Sequence, residues 1–228
     1  MAKQPAAVIG VGQTHHRAQR KDVSMAGLCR EAIDRALLDA NMTLDDIDAI
    51  VVGKAPDLFE GVMMPELYLA DALGCVGKPM LRVHTAGSVG GSTALVAASL
   101  VQARIHRRVL TLGFEKQSES NATWALSLPQ PFSVSANAGA GGYFSPIIRQ
   151  YMARSGAPDL IGCMVAFKDR QNALLNPYAH LHQHDLTFEK VVESPMLWDP
   201  IRYSETCPSS DGACAMVLGD EVAGDAAT

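Results

Sequence analysis

Val83-His84-Thr85-Ala86-Gly87-Ser88-Val89-Gly90-Gly91-Ser92-Thr93-Ala94-Leu95 is the stretch on which the reading of the fold turns. Residues 80–84, which lead into it, read as a short strand. A helix follows over about 88–103, and the apolar run 109–114 reads as the next strand. Strand, helix and strand in succession build sheets with helices layered on their faces. The pattern also occurs upstream. Residues 6–11 and 49–52 are apolar runs of the kind that form fully buried parallel strands. Between them Met25, Leu28, Ala32, Ile33, Ala36, Leu37 and Ala40 recur at three- and four-residue intervals, the spacing of one helical face, with Ser24 placed to cap it. These three elements read as one βαβ unit, and residues 65–73 read as a further helix. The fold class expected is α/β, with a layered sheet.

Downstream, periodicity stops over residues 115–138, where Ser, Asn, Gln and Pro are frequent, which predicts an excursion from the sheet. Helices are expected again over about 142–154 and 159–174, and the apolar run 213–218, after the polar turn Ser209-Ser210-Asp211-Gly212, is expected to rejoin the sheet. The tail 222–228 is small and polar and promises no further element.

Composition narrows the function. The chain carries 24 Asp and Glu against 19 Lys and Arg, so it offers no positive field for nucleic acid or an anionic membrane. No run approaches the roughly 18 apolar residues of a membrane span, and the N-terminus lacks a secretory pattern, which predicts a cytoplasmic protein. Cys29, Cys75, Cys163, Cys207 and Cys214 are scattered and form no C-x-x-C pair; they read as buried thiols in a reducing compartment. No metal site is expected. His180, His182 and His184 alternate without an accompanying carboxylate or cysteine at ligand spacing, so they read as surface residues. Val8-Ile9-Gly10-Val11-Gly12 has two glycines of a dinucleotide fingerprint, but Thr14 and His15 follow where the third is needed, which excludes a Rossmann cofactor site.

Five strings in order give the chain a family likeness: Val8 to Thr14, Gly91-Ser92-Thr93-Ala94-Leu95, Leu112-Gly113-Phe114-Glu115-Lys116, Asn176-Pro177-Tyr178, and Cys207-Pro208-Ser209-Ser210-Asp211-Gly212-Ala213. Together they resemble the thiolase superfamily, most of all its sterol carrier protein thiolases and lipid-transfer-protein relatives. The resemblance implies one βαβαβαββ half of a five-layer αβαβα architecture. Residues 1–228 would be the N-terminal domain, with a loop-domain insertion over about 115–205 and no C-terminal domain in the chain. It also implies a homodimer formed through the third strand and the loop region.

Counting back from Gly91-Ser92-Thr93 places Ser88 where the family carries its nucleophilic cysteine, with Gly87 as the alternative register. Such a thiolate sits at a helix N-terminus because free N–H groups and the helix dipole favour negative charge there. Serine is a poorer nucleophile and needs an adjacent base, which the family supplies from its C-terminal half. Ser88 is equally a good N-cap residue, its side chain then occupied by the helix. His84, ending the preceding strand, is a candidate acid or base or else a structural histidine. Gly87, Gly90, Gly91 and Gly141 are candidate substrate-binding positions, the glycines over 139–142 allowing close approach of a backbone or of a pantetheine arm. Glu115 and Lys116 read as a local ion pair.

The function implied is that of a thiolase-like subunit acting on acyl-CoA thioesters in lipid or steroid side-chain metabolism. Coenzyme A enters only as part of the substrate, and no other cofactor is expected. With no cysteine at the nucleophile position, retro-aldol carbon–carbon cleavage is favoured over thiolysis, with a C-terminal-half chain or a small OB-fold protein as partner; this half alone would be inactive. The alternative is a non-catalytic acyl-CoA or lipid-binding scaffold. The acyl pocket would come largely from residues 115–203, where Trp124, Phe132, Phe144 and Trp198 are available.

Overall fold

The computed structural model describes residues 5–55, 61–119 and 139–220. The chain divides into two compact units, one made of residues 1–119 with 210–228 and the other of 120–209.

The first unit is a five-stranded mixed sheet with strand order β1-β7-β4-β2-β3. Its strands are β1 (Ala7–Gln13), β2 (Ala49–Gly53), β3 (Met80–Val83), β4 (Arg108–Lys116) and β7 (Asp211–Gly219). β3, β2 and β4 are parallel, and β7 runs antiparallel to both β4 and β1. Helix α1 (Met25–Asp39) packs on one face and α3 (Val89–Gln102) on the other. The short helix α2 (Pro65–Leu69) lies between β2 and β3 in sequence.

Period-two alternation sorts the strand residues between the two layers. Ile50, Val52, Leu110, Leu112, Phe114, Ala213, Ala215 and Val217 join Leu28, Ile33 and Leu37 of α1 in one core. Ala49, Val51, Val109 and Leu218 meet Ala97 and Val101 of α3 in the other. Every β2 residue is buried because helices cover both its faces. Each large side chain so buried contributes about 1.5–3 kcal/mol relative to exposure.

α1 begins as expected: Ser24 is its N-cap and accepts a hydrogen bond from the Gly27 amide at 3.0 Å. β1, however, is neither parallel to a neighbour nor fully buried. It is an edge strand paired antiparallel with β7, and Val8 and Val11 are more than half exposed. The β1-α1-β2 connection therefore passes over β7 and β4 to reach β2. An apolar run reports that a strand has some buried contacts; it carries no information about which strand lies beside it. β4 also extends to Lys116, beyond the sequence reading, and a 3₁₀ turn follows over Gln117–Glu119.

The second unit contains α4 (Gly139–Ser155), α5 (Ile161–Ala173), the short α6 (Phe188–Val192) and a hairpin of β5 (Met196–Trp198) and β6 (Ile201–Arg202). α6 is capped by Thr187, which accepts from Lys190 N. Trp124 and Phe132 lie outside the described residues.

An ion-pair cluster fixes the entry to α1. Arg20, its side chain almost fully buried, donates to Asp22 (2.9 Å) and to Glu31 (2.8 Å). The hydrogen bond from the Arg20 guanidinium lowers the Asp22 carboxyl from 3.8 to about 2. A carboxyl depressed on folding stabilises the native state above its unfolded value, and that contribution is lost as pH falls through the folded one. Asp22 is solvent-exposed, so the effect is small. The prediction concerns its pH window: in acid titrations followed by circular dichroism, Asp22→Asn should separate from the parent above about pH 4 and merge with it near pH 2.

Candidate functional site

Open α/β sheets bind ligands beyond the carboxyl ends of their parallel strands. Here those ends are Gly53-Lys54 of β2, Val83-His84 of β3 and Glu115-Lys116 of β4. The turn Thr85-Ala86-Gly87-Ser88 leads from β3 into α3, passing through a 3₁₀ turn over Ala86–Ser88.

Ala86 stands at φ 48°, in the left-handed region, at a cost of roughly 1 kcal/mol for a residue with a Cβ. Two side-chain bonds hold this turn. Ser88 Oγ donates to the Thr85 carbonyl (2.8 Å), and Thr85 Oγ1 donates to Ser92 Oγ (2.8 Å). Ser88 is thus the N-cap by position, but its side chain makes no capping bond. The expected cap bond is replaced because the 3₁₀ turn brings the Thr85 carbonyl within reach of both the Ser88 amide (3.2 Å) and the Ser88 hydroxyl. Residues 84–88 are all exposed. Among the described residues, no imidazole or carboxylate is hydrogen-bonded to Ser88, and His84 does not pair with it.

The glycines fall into two kinds. A Cβ at Gly87, Gly90 or Gly91 would meet nothing within 4 Å, so the backbone at the start of α3 is approachable from solvent. The Ser88 and Val89 amides are bonded to the Thr85 and Ala86 carbonyls, and the amides that follow in the first turn of α3 are suited to stabilising negative charge. Gly141 differs: the face a Cβ would fill is occupied by the Trp198 indole. Its close approach serves packing of α4 against a ring of the same unit, where the sequence suggested a backbone or a pantetheine arm.

Glu115 and Lys116 do not pair with each other. Neighbouring strand residues point to opposite faces, and each finds a separate partner. Glu115 accepts from Lys54 Nζ (3.3 Å) and from Ala55 N (2.6 Å), while Lys116 pairs with Glu119. Lys54 is fully buried. A buried ammonium is tolerated only with a charge partner and further acceptors, and Glu115 with the Ala55 carbonyl (3.4 Å) provides them. This pair lies one residue beyond Gly53, against which Thr93 of α3 packs. Sequence reasoning missed Lys54, since a lone lysine after an apolar strand reads as surface.

Asp211 is the second buried group that was missed. It is fully buried and accepts from Arg20 N (2.7 Å), Ser118 N (2.9 Å) and Ser118 Oγ (2.6 Å). The signal was present in Ser209-Ser210-Asp211-Gly212, but a polar turn motif reads as solvent-facing.

The cysteines are thiols and form no disulfide with one another. Cys29, Cys75 and Cys163 are buried as expected, whereas Cys207 and Cys214 are exposed. Desolvation pushes the Cys75, Cys163 and Cys214 thiols up, away from the thiolate a nucleophile needs. His180 is half-buried; His182 and His184 are exposed, with His182 Nε2 2.8 Å from the Asn176 carbonyl. Among the described residues no group of three or more His, Cys, Asp or Glu is arranged to hold a metal, and no helix is long and apolar enough to cross a membrane.

Comparison with known proteins gives this geometry a context. No protein-family model matches the chain. The Ltp2-ChsH2(DUF35) aldolase structure superposes with a TM-score of 0.77 at 24% identity, covering 95% of this chain and 56% of that one. The fold is therefore of the thiolase type. Human sterol carrier protein 2 is 26% identical over 228 residues, covering 94% of this chain and 41% of that protein. The acetyl-CoA acetyltransferase of Methanothermobacter thermautotrophicus is 30% identical over 216 residues, covering 93% and 56%. The 17-hydroxy-3-oxo-4-pregnene-20-carboxyl-CoA lyase of Mycobacterium tuberculosis is 26% identical over 227 residues, covering 93% and 57%. Over nearly its whole length the chain is similar to thiolase-like proteins of the sterol carrier and lipid-transfer group. It spans about half the length of these relatives.

Proposed function

We propose that this chain is a subunit acting on acyl-CoA thioesters in lipid or steroid side-chain metabolism, and that its reaction is retro-aldol cleavage. The observation that carries the reading is the state of Ser88. It stands at the start of α3, where the resemblance puts the family nucleophile, with its proton committed to the Thr85 carbonyl. A hydroxyl bound in this way meets no activating base among the described residues, which disfavours acyl transfer through Ser88.

Retro-aldol cleavage needs no acyl-enzyme. A base takes the 3-hydroxyl proton, the Cα–Cβ bond breaks, a ketone or aldehyde leaves, and the electron pair passes to the thioester as an enolate, which is then protonated at Cα. The open backbone at Gly90 and Gly91 is suited to stabilising that enolate oxygen. His84 stands at the same edge and is the described imidazole available as acid or base there. The lyase and aldolase among the similar proteins support this choice. The remaining groups would come from a C-terminal half or from a small OB-fold partner, in a homodimeric cytoplasmic assembly with no cofactor beyond the coenzyme A of the substrate.

The test is the Ser88→Ala variant, assayed with whatever second half or partner the protein assembles with. 3-Hydroxyacyl-CoA should be cleaved to a carbonyl product and a shortened acyl-CoA, with kcat/KM within about threefold of the parent, less than 1 kcal/mol of transition-state energy. Thiolysis of 3-ketoacyl-CoA by free CoA that falls by about a thousandfold in the variant would overturn the reading and make Ser88 the nucleophile.

A further inference from the structure

We infer that Lys54 and Glu115 are positioning residues for the reaction, a clamp at the carboxyl ends of β2 and β4 that fixes where the first turn of α3 stands. This rests on the proposed function only in placing the chemistry at the start of α3. The backbone ladder between β2 and β4 ends at Gly53 and Gly113. Beyond it a side chain takes over. Glu115 Oε1 accepts from Ala55 N (2.6 Å) and Oε2 accepts from Lys54 Nζ (3.3 Å), so the chain leaving β2 stays fastened to the end of β4. α3 is seated beside that fastened segment. A Cβ at Gly53 would overlap Thr93 Oγ1 and stand 3.3 Å from Val89 Cγ2, so the first turn of the helix rests on bare main chain. Thr93, itself buried, donates Oγ1 to the Val89 carbonyl (2.7 Å), which ties the contact to the residue after Ser88.

Stability does not account for the pair. The Lys54 side chain has no exposed surface and that of Glu115 is 21% exposed. Desolvating an ammonium is costly, and apolar residues of similar volume often replace a buried ion pair without loss of stability. What the charged pair supplies is direction: a carboxylate held at both oxygens keeps one orientation, whereas apolar contacts alone let a strand end shift. Direction matters at this place. The amides in the first turn of α3 stabilise negative charge only where they point, and a displacement of about 1 Å costs about a hundredfold in rate. Lys54, without exposed surface, acts through the position of α3 and not on the substrate.

The test is a double-mutant cycle on the protein assembled with its second half or partner: Lys54→Met, Glu115→Leu and both together. For whichever carbon–carbon cleavage the parent performs, kcat should fall about tenfold to a hundredfold in each single variant and by the same factor in the double, because the pair works as one unit. KM should stay within about twofold of the parent. Stability should follow a different order. Glu115→Leu leaves a buried ammonium without its counter-charge and lowers the urea midpoint, and adding Lys54→Met restores it. Recovery of kcat along with the midpoint in the double variant would overturn the inference by making the pair structural alone; so would additive losses, or a loss confined to KM. Where Glu115→Leu is too unstable to assay, Lys54→Met and the double variant carry the comparison. Amide exchange adds a readout that needs no turnover. Residues 93–96, whose helical acceptors lie in the first turn of α3, should exchange about tenfold faster in the double variant than in the parent. Ile33→Val, which weakens the core on the α1 face, should leave them close to the parent. Equal exchange in parent and double variant would also overturn the inference. The parent's product judges the proposed function separately: thiolysis in place of retro-aldol cleavage refutes that reading, and the kcat ratios are then scored on thiolysis.

Discussion

Asp211→Ala is expected to cost about 3–5 kcal/mol of stability, because it orphans three hydrogen-bond donors at once and each buried donor left unmatched costs about 1–3 kcal/mol. Asp211 opens β7 and is fully buried. Its carboxylate takes the amide of Arg20, from the turn before α1, and the amide and hydroxyl of Ser118, from the turn after β4. Its backbone adds an exchanged pair with Arg17, at 2.8 and 3.2 Å. Three segments far apart in sequence thus meet on one side chain. Pairwise terms in such a network are not additive, so the loss should be smaller than three separate penalties. Asp211→Asn keeps one acceptor oxygen but turns an NH₂ toward donors, and should cost about half as much. Urea denaturation read from the shift of the midpoint at constant slope measures both. A loss below about 1 kcal/mol for the alanine variant would mean that water replaces the carboxylate without penalty. The same end of β4 carries Glu115, so a loosened Ser118 turn should also disturb the edge where the candidate site lies.

How far the sequence foretells this molecule depends on the kind of interaction. α1 was legible from Leu28 to Leu37 because a helix on a sheet has to present one apolar stripe, and that stripe is periodic. The βαβ reading of β1 was not fully legible: pairing is set by tertiary contacts, and β7, which takes the place beside β1, lies about two hundred residues away in sequence. The hairpin β5–β6 and the short α6 escaped notice because each is too brief to establish a period. At the site, the helix start at Ser88 was legible and its hydrogen bond was not, since a serine hydroxyl can accept from an amide or donate to a carbonyl and the backbone turn decides which. Lys54 and Glu115 are harder still. Each looks like a surface charge, and only the convergence of β2 and β4 at their carboxyl ends makes them an ion pair, with Lys54 buried and Glu115 partly so.

Gly12→Val is expected to displace α1 from the sheet and to cost about 3 kcal/mol or more, at the upper end of overpacking penalties because the obstructing atoms are main chain. A Cβ at Gly12 would sit 2.9 Å from the Arg35 carbonyl carbon and closer still to Ala32 O and Ala36 N. Gly10 is confined in the same way, 2.5 Å from Ala36 O and 2.7 Å from Ala40 Cβ. These two glycines, which superficially suggested a nucleotide turn, let the backbone of α1 lie directly on β1. A flexible side chain could rotate away, but the backbone of a helix whose Leu28, Ala32, Ile33 and Ala36 are wholly buried can yield only by moving as a body. Neither glycine has a positive φ, so the penalty is one of space and not of backbone conformation. Gly91→Ala isolates that distinction. Gly91 is helical and has nothing within 4 Å of a Cβ, so alanine should stabilise α3 by up to about 1 kcal/mol through lower backbone entropy in the unfolded chain. Urea midpoints moving in opposite directions for the two variants would establish the steric account; a fall of similar size in both would show that the two glycines serve a conformational role that space alone does not explain.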